Sequence, residues 1–283
     1  MLNVLTVDVE EYFHPSEVQP EFGAAWQLQP SRIEEQTETI LELLERRRLK
    51  ATFFILGWVA EHRKRAVRRI HAAGHEIACH SYCHKLIYQM TPEEFRRDTE
   101  RAVAAIEDAC GATPTAYRAP SYSITRQSLW ALDILVSCGF THDSSIYPIS
   151  HDRYGIPGFG RHAQILLTPS GPILEVPVAT AILWNGMVTP VGGGAYLRLL
   201  PYCYLAAGIR SINRDERKPA CVYFHPWEID PGQPRLARGC IARLRTYTGL
   251  SGMRRKLERL LSEFQFATLG QVHPGPPCGP APA

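Results

Sequence analysis

LNVLTVDVE, residues 2–10, is the stretch on which the reading of this chain turns: a short apolar run, residues 2–7, that ends on Asp8 and Glu10. A run of this length and composition reads as a buried strand, with acids placed at its C-terminal end. The arrangement recurs along the chain. Residues 52–56 are aromatic and β-branched, 76–79 are short and strand-like, and further strands are expected near 115–118, 140–143, 164–168, 172–176, 220–224 and 265–269.

Helical patterns fill the intervals. Ser31 with Glu34 has the spacing of a capping box, and Ile33, Thr37, Ile40, Leu41 and Leu44 follow on one helix face. A helix over 61–72 stops at Gly74. Thr91 and Glu94, with Pro92 at the first helical position, open another that carries Phe95, Ala102, Val103 and Ile106. Leu129, Leu132, Leu135 and Val136 mark the next. Pro201 is expected to kink or split a helix over 194–213, and Met253, Leu257, Leu260, Leu261 and Phe264 form the last. Strand followed by helix, repeated without sequence repeats, implies an α/β fold with a parallel sheet, open or closed into a barrel. The Pro/Gly-rich end, 271–283, reads as a disordered tail.

Composition narrows the function. The chain has 283 residues and a formal net charge of +3, too little to argue for nucleic acid. The basic cluster Arg63, Lys64, Arg65, Arg68 and Arg69 reads as a solvated helix face. No run approaches the roughly 18 apolar residues of a membrane span. The first ten residues lack the basic start of an export signal, so a cytoplasmic location is expected, with the eight cysteines as reduced thiols. Cys79 and Cys83 flank histidines, but with no CxxC pair they are expected to pack rather than to bind metal.

Polar residues capable of chemistry gather where the apolar runs end: Asp8 and Glu10, His80 and His84, Arg118, Asp143, and His225. In a parallel α/β fold those ends converge on one face. His80 and His84, four apart, can share a metal with a carboxylate, and Asp8 and Glu10 point to one side of a strand, so that one can bind metal while the other serves as base. Two histidines and one carboxylate with open positions is the layout of a hydrolytic metal site. His225 is a candidate proton donor, and Arg118 a partner that would orient Asp8.

In this order the residues resemble the polysaccharide deacetylase family, carbohydrate esterase family four, through Thr6-Val7-Asp8-Val9-Glu10, His80-Ser81-Tyr82-Cys83-His84, Arg118-Ala119-Pro120 and Phe224-His225. The resemblance implies a distorted (β/α) barrel of about seven parallel strands. It implies Asp8 as general base, His80 and His84 as ligands of a divalent metal, by default zinc, Arg118 as the residue that positions Asp8, and His225 as general acid. The common pattern has a second aspartate where Val9 stands here, which moves the third ligand to Glu10. Ser121 replaces a usual aromatic, and its backbone N–H is the expected oxyanion donor. An acid is expected to tune His225, either Asp143 or Glu175.

Gly192-Gly193-Gly194, Tyr196, Arg198, Pro201 and His225-Pro226-Trp227-Glu228-Ile229-Asp230 resemble the branch encoded beside exosortase-linked exopolysaccharide loci. This implies one deacetylase domain over 1–270, with 185–270 its elaboration. Trp184, Tyr196, Trp227 and Arg235 are candidate sugar contacts. The expected partner is an N-acetylated oligosaccharide or polysaccharide, with homo-oligomers possible and an exopolysaccharide role implied. Two other functions fit the same motifs: an amidohydrolase of a small cyclic or formylated amide, and a non-catalytic polysaccharide-binding protein.

Overall fold

A computed structural model describes residues 1–16, 18, 23–183 and 185–276. Its centre is β1 (Leu2–Val9), which lies parallel to β2 (Thr52–Ile55) on one side and to β10 (Cys221–Phe224) on the other. From β2 the sheet runs on through β3 (Glu76–Cys79), β4 (Ala116–Tyr117) and β5 (His142–Asp143) to β7 (Gly171–Glu175), all parallel. β6 (Gln164–Thr168) closes this edge as the antiparallel partner of β7. β11 (Gln265–Ala267) pairs with the start of β1. The sheet curls into a half-barrel, and among the described residues no ladder joins β6 to β10. A separate hairpin, β8 (Thr180–Ile182) with β9 (Val188–Pro190), was not foreseen from the pattern.

Period-2 alternation sorts the side chains. Leu5, Val7 and Val9 of β1, Phe53 and Ile55 of β2, and Val222 and Phe224 of β10 face the helices. Val4, Phe54, Ala78, Ala116 and Cys221 fill the inside of the curl. Both faces are buried, which is why the strands read as unbroken apolar runs rather than as alternation. Thr6 and Asp8 share the inward face of β1 with Val4, so the chemistry at the strand ends sits directly above an apolar floor.

Helices α1 (Ile33–Arg46), α2 (Gly57–His62), α3 (Lys64–Ala72), α4 (Pro92–Cys110) and α5 (Trp130–Ser137) cover the outside. The Thr91–Glu94 capping box with Pro92 opens α4 as expected, and Gly111 closes it in the left-handed conformation. At α1 the expectation fails. The N-cap is Arg32, and the expected Ser31–Glu34 box does not form. Instead the Glu11 carboxylate, brought in from beyond β1, accepts from the Arg32 N–H at 3.1 Å, the Ile33 N–H at 3.4 Å and the Ser31 hydroxyl. A full carboxylate facing the positive end of a helix is a stronger cap than a hydroxyl.

Pro201 splits its helix as expected, into α6 (Ala195–Leu199) and α7 (Tyr202–Arg214). The glycines before α6 have a steric reason. At Gly193, with φ of 134°, a Cβ would lie 1.8 Å from the Tyr223 carbonyl oxygen. Only glycine lets this segment pair with β10, and that pairing delivers α6 to the rim of the barrel. Two more helices, α8 (Cys240–Tyr247) and α9 (Leu250–Glu263), follow, the first unforeseen. The expected tail boundary also moves. Thr268 and Gln271 form a capping box that opens α10 (Leu269–Val272), and the His273 carbonyl lies 2.9 Å from His142 Nε2, so 271–273 are docked rather than loose. Residues 277–283 lie outside the described residues.

Glu11→Ala is expected to lower the unfolding free energy by about 2 kcal/mol, and Ser31→Ala by about 1 kcal/mol. Urea denaturation checks both; equal midpoints for Glu11→Ala and the parent would mean that water caps α1 instead.

Candidate active site

Each of the four parallel strands β1, β3, β4 and β10 hands one functional group to the same end of the barrel. Asp8 lies near the end of β1, and a tight turn, Glu10 N–H to Asp8 carbonyl at 3.0 Å, brings Glu10 in beside it. His80, Arg118 and His225 each stand one residue past their strands. Asp8, Glu10, His80, His84, Ser121 and His225 line a cavity of about 410 Å³.

The Arg118 guanidinium has no solvent exposure, and every direction of it is occupied. It donates to Asp8 Oδ1 and to Thr6 Oγ1, both at 2.7 Å, to the Ser144 hydroxyl at 2.8 Å and to the Ser144 carbonyl at 3.2 Å. Its flat face rests 4.2 Å from the Phe54 ring centroid. These bonds fix the Asp8 carboxylate through Oδ1 and leave Oδ2 turned toward His225, whose Nε2 is 3.9 Å away.

Glu10, His80 and His84 each offer a donor atom, all within 4.8 Å of one another, the geometry of a shared cation. His80 Nδ1 lies 2.8 Å from the Arg118 carbonyl; a carbonyl only accepts, so Nδ1 carries the proton and Nε2 keeps a lone pair for a metal. Burial, opposed by Asp8 and Glu10, holds His80 down at about 4, which keeps it neutral as a ligand must be. Burial works against the charge of Glu10, but His84, 2.7 Å away, with His225 and His80, outweighs it and holds the carboxyl well below the usual range. Trp227 Nε1 donates to Glu10 Oε1 at 3.0 Å and fixes its orientation. The donor set therefore suits a divalent cation of borderline character such as zinc.

The loop that carries His84 bends sharply, with φ of 65° at Ser81 and 53° at His84. Asp98, on the apolar face of α4, holds it there. Its carboxylate accepts from the Ser81 hydroxyl at 2.6 Å, the Tyr82 N–H at 2.8 Å and the Cys83 N–H at 3.1 Å. Asp98 escaped the sequence reading; the available signal was an acid between Phe95 and Thr99 on a face otherwise buried. Cys83 also bonds Asp98, and Cys79 is buried in the core, so neither joins the metal donors.

The acid beside His225 is neither Asp143 nor Glu175. Glu228 accepts from the His225 N–H at 2.9 Å and lies 3.0 Å from His225 Nδ1, forming the capping box of the turn Pro226–Ile229. Arg198 of α6, itself buried, pairs with the other oxygen of Glu228 at 2.6 Å. Burial disfavours the imidazolium, but Glu228, Glu10 and Asp8 outweigh it, and His225 is pushed up to about 9. Asp143 and Glu175 face each other across β5 and β7, away from His225. Burial and the neighbouring Asp143 carboxyl push Glu175 well up, so the pair shares a proton. Through Ser145, which donates to Asp143 at 2.5 Å and accepts from the Ala119 N–H at 2.8 Å, the pair props the backbone after Arg118.

Tyr196 and Trp227 are in the cavity wall, with the indole stacked on His225. Ser121, with φ of 50°, is there too, its hydroxyl 2.8 Å from that of Ser16. Arg235, the fourth expected sugar contact, is not among the residues of the wall, and its guanidinium lies over the Tyr247 ring. Trp184 lies outside the described residues.

Two family models divide the chain. Residues 24–141 match the polysaccharide deacetylase family, and residues 144–273 match a domain of unknown function, DUF3473. A chitooligosaccharide deacetylase of a Bradyrhizobium strain is 32% identical over 36% of this chain and 44% of its own length. A peptidoglycan-N-acetylglucosamine deacetylase of Bacillus cereus is 33% identical over 35% and 36%. The matches thus span less than half of either relative. A solved structure from Mycobacterium smegmatis, described as a polysaccharide deacetylase, shares the fold with a TM-score of 0.63 at 18% identity, over 99% of this chain and 95% of that one. Residues 24–141 are thus similar to the polysaccharide deacetylase family, and the relatives are similar over about a third of this chain.

Asp98→Ala is expected to weaken zinc binding roughly 10- to 100-fold by freeing the His84 loop, measured by competition with a chromophoric chelator. Glu228→Gln removes the charge that raises His225. Its NMR titration midpoint is expected to fall by about one unit or more, whereas Asp143→Asn leaves it in place.

Proposed function

We propose that this chain is a metal-dependent N-deacetylase that hydrolyses N-acetyl groups on an N-acetylated sugar polymer or its precursor. The observation that carries the reading is the convergence of a three-donor cation site, an arginine-held aspartate and an acid-backed histidine on one cavity. Glu10, His80 and His84 would hold the ion, zinc by their chemistry. When bound, it supplies Lewis acidity at the amide carbonyl and makes water easier to deprotonate.

The side chains provide the rest. Asp8 Oδ2, free of the Arg118 clamp, takes the proton of the attacking water. The Ser121 N–H steadies the negative charge that develops on the carbonyl oxygen. His225, kept protonated by Glu228, donates from Nε2 to the departing amine, so that acetate and a free amino sugar leave. Arg118 acts through Asp8, and Trp227 through Glu10 and His225. Tyr196 offers a flat face to a sugar ring. The likeness of residues 192–230 to deacetylases of exopolysaccharide loci makes such a polymer the favoured substrate.

The test is acetate release from N-acetylglucosamine oligomers after chelation and after zinc is restored. Release is expected only with metal. Asp8→Asn should lose about a thousandfold or more in kcat while binding zinc normally, and His80→Ala should lose both. Loss of zinc in Asp8→Asn equal to that in His80→Ala would overturn the division between base and ligand. No acetate from the zinc-loaded protein would shift the reading to a small-amide hydrolase.

A further inference from the structure

His151, Arg153 and Tyr154 belong to the wall of the catalytic cavity, although no step of the proposed reaction uses them. The same three residues also belong to the wall of another cavity, of about 400 Å³. Its other sides come from Tyr88, Thr125, Arg126 and Gln127 in one part of the chain and from Asp152 and Pro157 in another. The two cavities are thus neighbours across a shared ridge, similar in volume, and each of a size that takes a small ligand.

The ridge is held from several directions. The His151 ring stacks on Tyr154 at 3.8 Å, and Tyr154 lies nearly parallel to the buried Tyr147 ring at 5.9 Å. Gly155, with φ of 96°, lets the chain turn back closely. A Cβ there would lie 2.3 Å from the Ile149 carbonyl oxygen, and the Ile156 N–H returns to the Tyr147 carbonyl at 2.9 Å. Arg245 of α8 pairs with Asp152 at 3.2 Å, and Arg126 donates to the Pro157 carbonyl at 2.9 Å. A wall fixed before its ligand arrives loses little to ordering on binding.

The second cavity has the chemistry of a sugar site. Tyr88, His151 and Tyr154 bring rings to it, while Thr125, Gln127 and Asp152 bring hydroxyl, amide and carboxylate groups that can pair with hydroxyls as donors or acceptors. A small amide would be enclosed by the catalytic cavity alone and would leave this one unused. A ligand of repeating rings accounts for two cavities of equal size side by side.

We propose that the second cavity is a distal sugar subsite, and that an N-acetylated oligosaccharide lies across the His151–Tyr154 ridge, one unit at the catalytic groups and further units beyond it. On the deacetylase reading, from which this follows, the substrate is longer than the catalytic cavity can hold. Part of the segment that matches a domain of unknown function then serves to hold it.

Acetate release by the zinc-loaded protein is compared for the dimer and the pentamer of N-acetylglucosamine. In the parent, kcat/KM is expected to be about tenfold higher for the pentamer, the gain from a few added hydrogen bonds. Tyr88→Ala combined with Gln127→Ala spares the ridge and its anchors, and should bring the ratio close to one by raising KM for the pentamer. Gln127→Ala alone, at an exposed position where folding is not at stake, should lower the ratio about threefold. Equal kcat/KM for the two oligomers in the parent, or a ratio unchanged in both variants, would overturn the subsite. Absence of acetate from both oligomers would instead overturn the deacetylase reading. Calorimetry separates the two, because it needs no turnover: the parent should bind the pentamer about tenfold more tightly than the dimer, and equal affinities would overturn the subsite.

Discussion

The buried pair of Arg118 and Asp8 is the constraint around which the site is arranged. Taking both charges out of water is expensive, and their mutual attraction alone does not recover the cost. The recovery comes from geometry. One guanidinium satisfies Thr6 and Asp8 on β1, the hydroxyl and carbonyl of Ser144 beyond β5, and lies flat over Phe54 of β2. It can do so only where strands distant in sequence curl around one point. Removing either charge would leave the other buried and unpaired, at a cost of about 3–5 kcal/mol. The pair therefore ties the curvature of the sheet to the orientation of the proposed base, and through the Arg118 carbonyl to the tautomer of His80.

Much of this was legible in the sequence because the information was local. An apolar run ending in a polar residue marks a strand and its end; Thr91-Pro92 with Glu94 marks a helix start; Pro201 forbids an unbroken helix. Asp8, Glu10, His80, His84, Arg118 and His225 were found by asking which residues stand at strand ends, and the structure brings five of them to one cavity, with Arg118 buried behind Asp8. The failures came where a local motif competed with a distant group. Ser31 and Glu34 have the spacing of a capping box, but Glu11, twenty residues upstream, takes the Ser31 hydroxyl itself together with the Arg32 and Ile33 N–H groups. No spacing rule contains that contact.

The acid beside His225 failed for a different reason. Asp143 and Glu175 are at strand ends, as the rule required, but on neighbouring strands in register they face one another and pair off. Glu228 stands after the strand, three residues from His225 itself, and its capping-box spacing was visible in the sequence. That pattern is normally read as a device for starting a helix. Here the side chain at the N-cap is the imidazole, so one oxygen of Glu228 takes both the capping bond from the His225 N–H and the contact with its Nδ1.

The residues of the C-terminal third then fall into a single chain of cause. Gly193 lets the segment lie on Tyr223, which places α6. Arg198 of α6 meets Glu228, and Glu228 meets His225. The remaining guanidinium nitrogens of Arg198 donate to the carbonyls of Arg245 and Thr248 at 2.6 and 2.7 Å, the groups left without partners at the end of α8. A cation at a helix C-terminus both caps it and answers its dipole. Because one buried arginine serves both, α8 cannot shift without disturbing the hydrogen bonds that hold Glu228. The outer surface carrying Ile241 and Leu244 is thus separated from the His225 imidazole by two side chains, Arg198 and Glu228, each fully bonded and neither exposed.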